Sequence, residues 1–108
     1  MTKLLVVLSK DPYTTEIPDL ALSIGLDAQA KGNDVSFYLI EDGVTAARNG
    51  GFAQKILDAQ SQGLQFFADD KSVFHRGLKN KLVDGVQVKE IGTLLDYIMD
   101  DYDKVTWF

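Results

Sequence analysis

Asp34-Val-Ser-Phe-Tyr-Leu-Ile-Glu-Asp-Gly-Val44 decides the fold. Its run from Val35 to Ile40 is short, nearly unbroken and rich in β-branched and aromatic residues. Such a run suits a strand buried on both faces, as in a parallel sheet. Glu41-Asp42-Gly43 punctuates it, and a helix-forming stretch with Ala46 and Ala47 follows. A strand that ends in acids and a glycine and turns into a helix is a βα corner. Sites in open α/β folds lie at the carboxyl ends of the strands, which places Asp42 beside any site here.

Upstream, Lys3-Leu-Leu-Val-Val-Leu-Ser9 predicts a second fully buried strand, the central one. It stops at Asp11-Pro12, because proline donates no ladder hydrogen bond and pushes its predecessor out of helical geometry. A helix follows, with Thr14 or Thr15 as its N-cap and Pro18 in its first turn. Leu20, Ile24 and Ala28 fall on one stripe of it and Asp19, Ser23 and Asp27 on another. Lys31-Gly32-Asn33 closes it with a glycine just past the last turn. Strand, helix and strand make one βαβ unit.

Downstream, Asn49-Gly50-Gly51 divides the next helical region, since each glycine costs roughly 1 kcal/mol in a helix interior. The expectation is a short helix from Val44 to Arg48 and a longer one from Phe52 to Gln62. Phe52, Ile56, Leu57 and Ala59 form the apolar side of the second. Gln65-Phe66-Phe67-Ala68 reads as a third strand ending in Asp69-Asp70, followed by a short helix over Ser72–Arg76 closed by Gly77. Gly85 to Val88 reads as a fourth strand. Ile91, Leu94, Leu95 and Ile98 mark a helical face, and Lys104 to Phe108 alternates as a fifth strand. Strands alternating with helices predict a three-layer α/β sandwich around a mostly parallel five-stranded sheet, Rossmann- or flavodoxin-like.

Composition narrows the function. The 108 residues suffice for one domain. A net charge of −5 leaves Arg76, Lys79 and Lys81 as the only basic cluster, a poor footprint for nucleic acid. No apolar run approaches the roughly 18 residues of a membrane span. The start, Met1-Thr-Lys3, lacks the form of a signal peptide, so a cytoplasmic protein is expected. The sequence contains no cysteine, which excludes disulfides, thiolate catalysis, zinc–thiolate sites and a protein-bound persulfide.

Asp11, Glu41, Asp42, Asp69 and Asp70 all follow the carboxyl ends of predicted strands. Converging on one edge, they could hold Mg²⁺, which prefers oxygen ligands. Turn and capping chemistry alone also explains acids at such positions. A phospho-accepting receiver domain would want a lysine after its last strand, where this sequence has Trp107-Phe108. Lys10 to Thr15 offers hydroxyls but no glycine to wrap a phosphate, and Gly50-Gly51 lacks dinucleotide spacing, so no cofactor is implied. His75, the lone histidine, fits a helix-end residue better than a catalytic base. An enzyme without cysteine would rest on Asp42, Asp69 and His75.

Taken together, Lys3–Ser9, the Asp34–Val44 corner, Leu64 to Gly77 with its Arg76-Gly77 pair, and the closing Ile91–Phe108 segment resemble the DsrE/DsrF-like family of sulfur-relay proteins. The resemblance implies one DsrE-like domain over residues 1–108 and a five-stranded α/β sandwich. It also implies assembly with itself or with related DsrE-like subunits, commonly as a trimer or hexamer. Some members carry sulfur as a persulfide on a cysteine at the end of the third strand, a few residues before the Arg-Gly pair. Counting back from Arg76-Gly77, that position is Asp69, or Ala68 if the loop slips by one. Neither can hold sulfane sulfur. The resemblance therefore implies a non-catalytic, oligomeric subunit whose pocket includes Asp11, Asp42, Asp69, His75 and Arg76. A small-ligand or divalent-metal binder on the acidic rim is the alternative.

Overall fold

A computed structural model of the chain describes residues 2–108. Met1, part of the start read above as leaderless, lies outside the described residues. In chain order the elements are β1 (Lys3–Leu8), α1 (Ile17–Ala30), β2 (Asp34–Leu39), a 3₁₀ segment (Glu41–Ala47) and α2 (Ala53–Ser61). They continue with β3 (Gln65–Asp69), α3 (Asp70–His75), β4 (Gln87–Lys89), α4 (Ile91–Asp96), a π-helical turn (Tyr97–Asp101) and β5 (Lys104–Trp107). The sheet order is β4-β3-β2-β1-β5, and every neighbouring pair is parallel. The sheet is thus wholly parallel. Its middle strand is β2 and not β1 as expected, since β1 lies between β2 and the edge strand β5, and an apolar run marks any interior strand without ranking them.

Alternation along the strands divides the core into two layers. Val6, Leu8, Val35, Phe37, Leu39, Phe66 and Ala68 form one layer with residues of α1, the 3₁₀ segment, α2 and α3. Leu5, Val7, Tyr38 and Phe67 form the other, which Leu94 of α4 covers with Tyr97, Ile98, Tyr102 and Val105 around it. The first layer is the larger. Phe37 and Phe66 stack there with ring centroids 5.1 Å apart.

Several element-level expectations change. The stripe Leu20–Ile24–Ala28 is not the buried face of α1. Leu20 and Ile24 are exposed, while Pro18, Ala21, Leu22 and Gly25 face the core. A Cβ on Gly25 would lie 2.6 Å from Cε1 of Phe37, so the helix sits close to the sheet only because that position is bare. Neither threonine caps α1 in the expected way. Glu16 is the N-cap and makes no side-chain cap bond, while Thr15 Oγ1 accepts the Ile17 N–H at 3.3 Å.

The segment after Gly43 is 3₁₀ rather than α-helical, and α3 begins at Asp70 rather than Ser72. Leu57 is exposed, although Phe52, Ile56 and Ala59 are buried as the periodicity requires. Of the expected α4 face only Leu94 is fully buried, and Ile91 and Leu95 are exposed.

Candidate functional site

The carboxyl ends of β1, β2 and β3 bring Asp11, Glu41, Asp42, Asp69 and Asp70 to one edge of the sheet. Each is engaged differently. Asp11 closes its own turn: its Oδ1 accepts the Tyr13 N–H at 2.9 Å, as short acids in turns do. The Thr45 hydroxyl lies 3.0 Å from the same oxygen and 2.7 Å from the Asp42 carbonyl, so its single proton serves one acceptor at a time.

Asp42 is the partner of Arg76. Its Oδ1 accepts from Nη2 at 2.8 Å and from Nε at 3.2 Å, and Glu41 stands 3.6 Å from the same Nη2. The guanidinium also donates to the Ser72 carbonyl at 3.3 Å, which ties α3 to the β2 corner. Both carboxylates are largely exposed, so this is a solvated ion-pair group.

Asp69 does something else. It is the N-cap of α3 in extended geometry, with Oδ2 accepting the Ser72 N–H at 3.1 Å and the Ser72 hydroxyl at 2.7 Å. The Ser72 Oγ in turn accepts the Glu41 N–H at 2.9 Å. Glu41 itself sits at φ 49°, a left-handed conformation uncommon for a side-chain-bearing residue. A chain of hydrogen bonds therefore runs from the β2 corner through Ser72 to Asp69. Asp69 is only 7% exposed, and its Oδ1 has no hydrogen-bond partner among the described residues. Its charge reaches Tyr38 nonetheless: burial pushes that phenol well above its ordinary pKa, and the Asp69 carboxylate adds to the rise.

His75 is exposed at the end of α3 with its ring 6.0 Å from that of Phe74. No hydrogen bond joins it to Asp69 or Asp42. The structure thus brings Asp42 and Arg76 together, leaves Asp11 in its own turn, buries Asp69 beneath α3 and turns His75 away. No three acids or histidines among the described residues gather closely enough to hold a metal ion. The residue that sequence reasoning missed is Ser72. Its signal was present, because an acid followed three positions later by a hydroxyl has the spacing of an N-cap and the N–H it satisfies.

The DsrE/DsrF-like family profile matches residues 2–108. The chain belongs to the DsrE/DsrF-like family. Its relatives include an uncharacterised protein of Methanopyrus kandleri, 28% identical over 111 residues that span 95% of this chain and 91% of that one. The solved structure of the ychN protein of E. coli superposes with a TM-score of 0.88 at 24% identity, covering all of both chains. A protein of unknown function from Methanobacterium thermoautotrophicum superposes at 0.79 with 14% identity, over 98% of this chain and 99% of that one. At such identities the superpositions establish a shared fold. In this DsrE-like chain the end of β3 carries a buried capping carboxylate, and the nearest hydroxyl, on Ser72, donates to that carboxylate with no histidine beside it.

Proposed function

We propose that this protein is a DsrE-like subunit that does not carry sulfur itself and works as an oligomer, a trimer or hexamer of its own kind or an assembly with related DsrE-like subunits. The observation that carries the reading is Asp69. Counting back from Arg76-Gly77, the family resemblance gives the sulfur-carrying cysteine's position to Asp69, or to Ala68 if the loop slips by one. Ala68 is buried, and Asp69 is turned inward to cap α3. A cap bond makes a local structural contribution of about 1 kcal/mol and asks for no exposed, reactive atom.

Support for assembly comes from the surface. Phe74 is 67% exposed and Trp107 57%, and Ile91, Leu95 and Met99 are exposed along α4 and the turn that extends it. Exposed aromatic and aliphatic groups in such number are the composition of interfaces. Tyr38, Phe66 and Phe67, by contrast, are buried in the core and add nothing to such a surface.

The test has two arms. Sedimentation at micromolar concentration should give a species larger than the monomer, and a strict monomer ends the oligomeric reading. Asp69→Cys should yield a thiol that alkylating agents and persulfide donors modify slowly in the folded protein and quickly after unfolding. Rapid modification in the folded state would mean that a carrier pocket persists. The alternative, a small ligand or Mg²⁺ on the acidic rim, has less support because the acids are spread among separate hydrogen bonds. A melting temperature raised by Mg²⁺, nucleotides or flavins would favour it, since a ligand that binds only the native state stabilises it.

A further inference from the structure

Two surfaces of the molecule are complementary and neither has a partner within the chain. The first is a groove of about 520 Å³ beside the edge strand β4, walled by Val73 and Phe74 of α3 and by Leu82 and Val83 of the connection to β4. Val88 opens onto it. That residue pairs in register with Ala68, whose side chain belongs to the larger core layer, so the groove lies on the α3 side of the sheet. The second is the flank of α4 that carries Ile91 and Leu95, continued by Met99, all exposed. Spacing of four residues sets these three in one row. Leu94 packs on the smaller core layer, so this row lies on the opposite side of the sheet.

Charge distinguishes the two as clearly as position does. From Lys71 to Lys89 the chain has Lys71, Arg76, Lys79, Lys81 and Lys89 against one acid, Asp84. From Glu90 to Asp103 it has Glu90, Asp96, Asp100, Asp101 and Asp103 and no lysine or arginine at all. Arg76 is spoken for by Asp42, but among the described residues Lys71, Lys79, Lys81 and Lys89 make no ion pair. Nor do Asp96, Asp100 or Asp101. Asp70, Lys79 and Asp84 line the groove itself, and the exposed or half-buried Lys71, Lys81 and Lys89 each adjoin a lining residue in sequence, so its basic character resides at the rim.

We infer that the groove beside β4 receives the α4 row of a second copy of this chain, apolar side chains in the groove and the acids of α4 against the rim lysines. This rests on the oligomeric reading above and says which surfaces meet. Because groove and row lie on opposite faces of the sheet, the contact is head-to-tail, which closes as a ring when the rotation between successive copies divides a full turn.

The experiment exchanges the charges. Lys79→Glu with Lys81→Glu, and separately Asp96→Lys with Asp100→Lys, should each weaken assembly at least about tenfold in sedimentation at fixed concentration, since like charges then face each other. A chain carrying all four substitutions has an acidic rim and a basic row, and should assemble again as the native protein does. Leu95→Ser should weaken assembly without any change of charge. All these side chains are exposed and internally unpaired, so circular dichroism should report a native fold throughout. A native oligomer that tolerates every exchange, or fails to return in the fourfold variant, overturns the inference and leaves the oligomeric reading standing. A native monomer overturns both.

Discussion

At the scale of single residues, the burden at the carboxyl edge is divided between two carboxylates with opposite duties. Asp42 faces water and holds Arg76, whereas Asp69 faces inward and holds the start of α3. The division predicts different responses to the same substitution. Asn caps a helix about as well as Asp, so Asp69→Asn should leave stability nearly unchanged, and the small difference should not depend on salt because Arg76 is not its partner. Asp69→Ala removes the acceptor from the Ser72 N–H and should cost about 0.5–2 kcal/mol in urea denaturation. A large, salt-sensitive loss on Asp69→Asn would contradict the assignment. Asp42→Asn touches only an exposed pair and should cost no more than about 1 kcal/mol. The sequence marks these acids as belonging to one edge, yet it does not say which of them meets Arg76. At the head of the short helix Asp69 could cap it or pair with Arg76, and the cap is the outcome expected from its position and the one found. The helix α3 nonetheless starts at Asp70 rather than Ser72, because acids serve turns and caps equally well and leave that boundary open.

At the scale of elements, small residues decide how closely the layers approach. The apolar stripe of α1 misleads because the helix has apolar residues on more than one side. Close approach to Phe37 selects Ala21 and Gly25 for the inside and leaves the larger Leu20 and Ile24 outside. The strands show no such ambiguity, since residues buried on both faces need only an apolar run. The 3₁₀ segment is a second case. The Gly43 N–H bonds the Ile40 carbonyl at 2.8 Å, and a Cβ at Gly43 would collide with the backbone carbonyl of Leu8. Gly43→Ala should therefore destabilise by about 1–3 kcal/mol, because backbone at the end of a central strand yields little. Gly92 is the control. It lies in the first turn of α4 with open space where a Cβ would go, and Gly92→Ala should stabilise by about 0.4–1 kcal/mol. Thermal denaturation of the two variants should move in opposite directions, and a neutral Gly43→Ala would mean that the 3₁₀ segment is free to withdraw from β1.

At the scale of the whole molecule, the two core layers are unequal, and three tyrosines, Tyr38, Tyr97 and Tyr102, gather at the smaller one. Tyr38 is fully buried on β2 and donates from its hydroxyl to the Glu90 carbonyl at 2.9 Å, just before α4. Tyr102 donates to the Ser36 hydroxyl at 2.8 Å, and Tyr97 packs edge-on against both tyrosine rings. Burial raises the pKa of Tyr38 and of Tyr102; for Tyr102 the hydrogen bond with Ser36 works in the lowering direction. In the unfolded chain a tyrosine titrates near about 10. Above that pH the unfolded chain has lost protons that the folded chain still holds, so stability must fall as pH rises. The contribution is complete below pH 10 and is lost on rising from there through the higher values of the folded protein. Urea denaturation should give nearly constant stability between about pH 8 and 9.5 and a decline above 10. Lysines titrate in the same range, so the decline alone does not identify its source. Tyr38→Phe separates the two. At pH 8 the variant should be less stable by about 1 kcal/mol, the hydrogen bond to Glu90 being lost. Above pH 10 its decline should be shallower than that of the native protein, because one raised phenol is gone and every lysine remains. Parallel declines would show that the buried tyrosine does not couple this layer to alkaline pH.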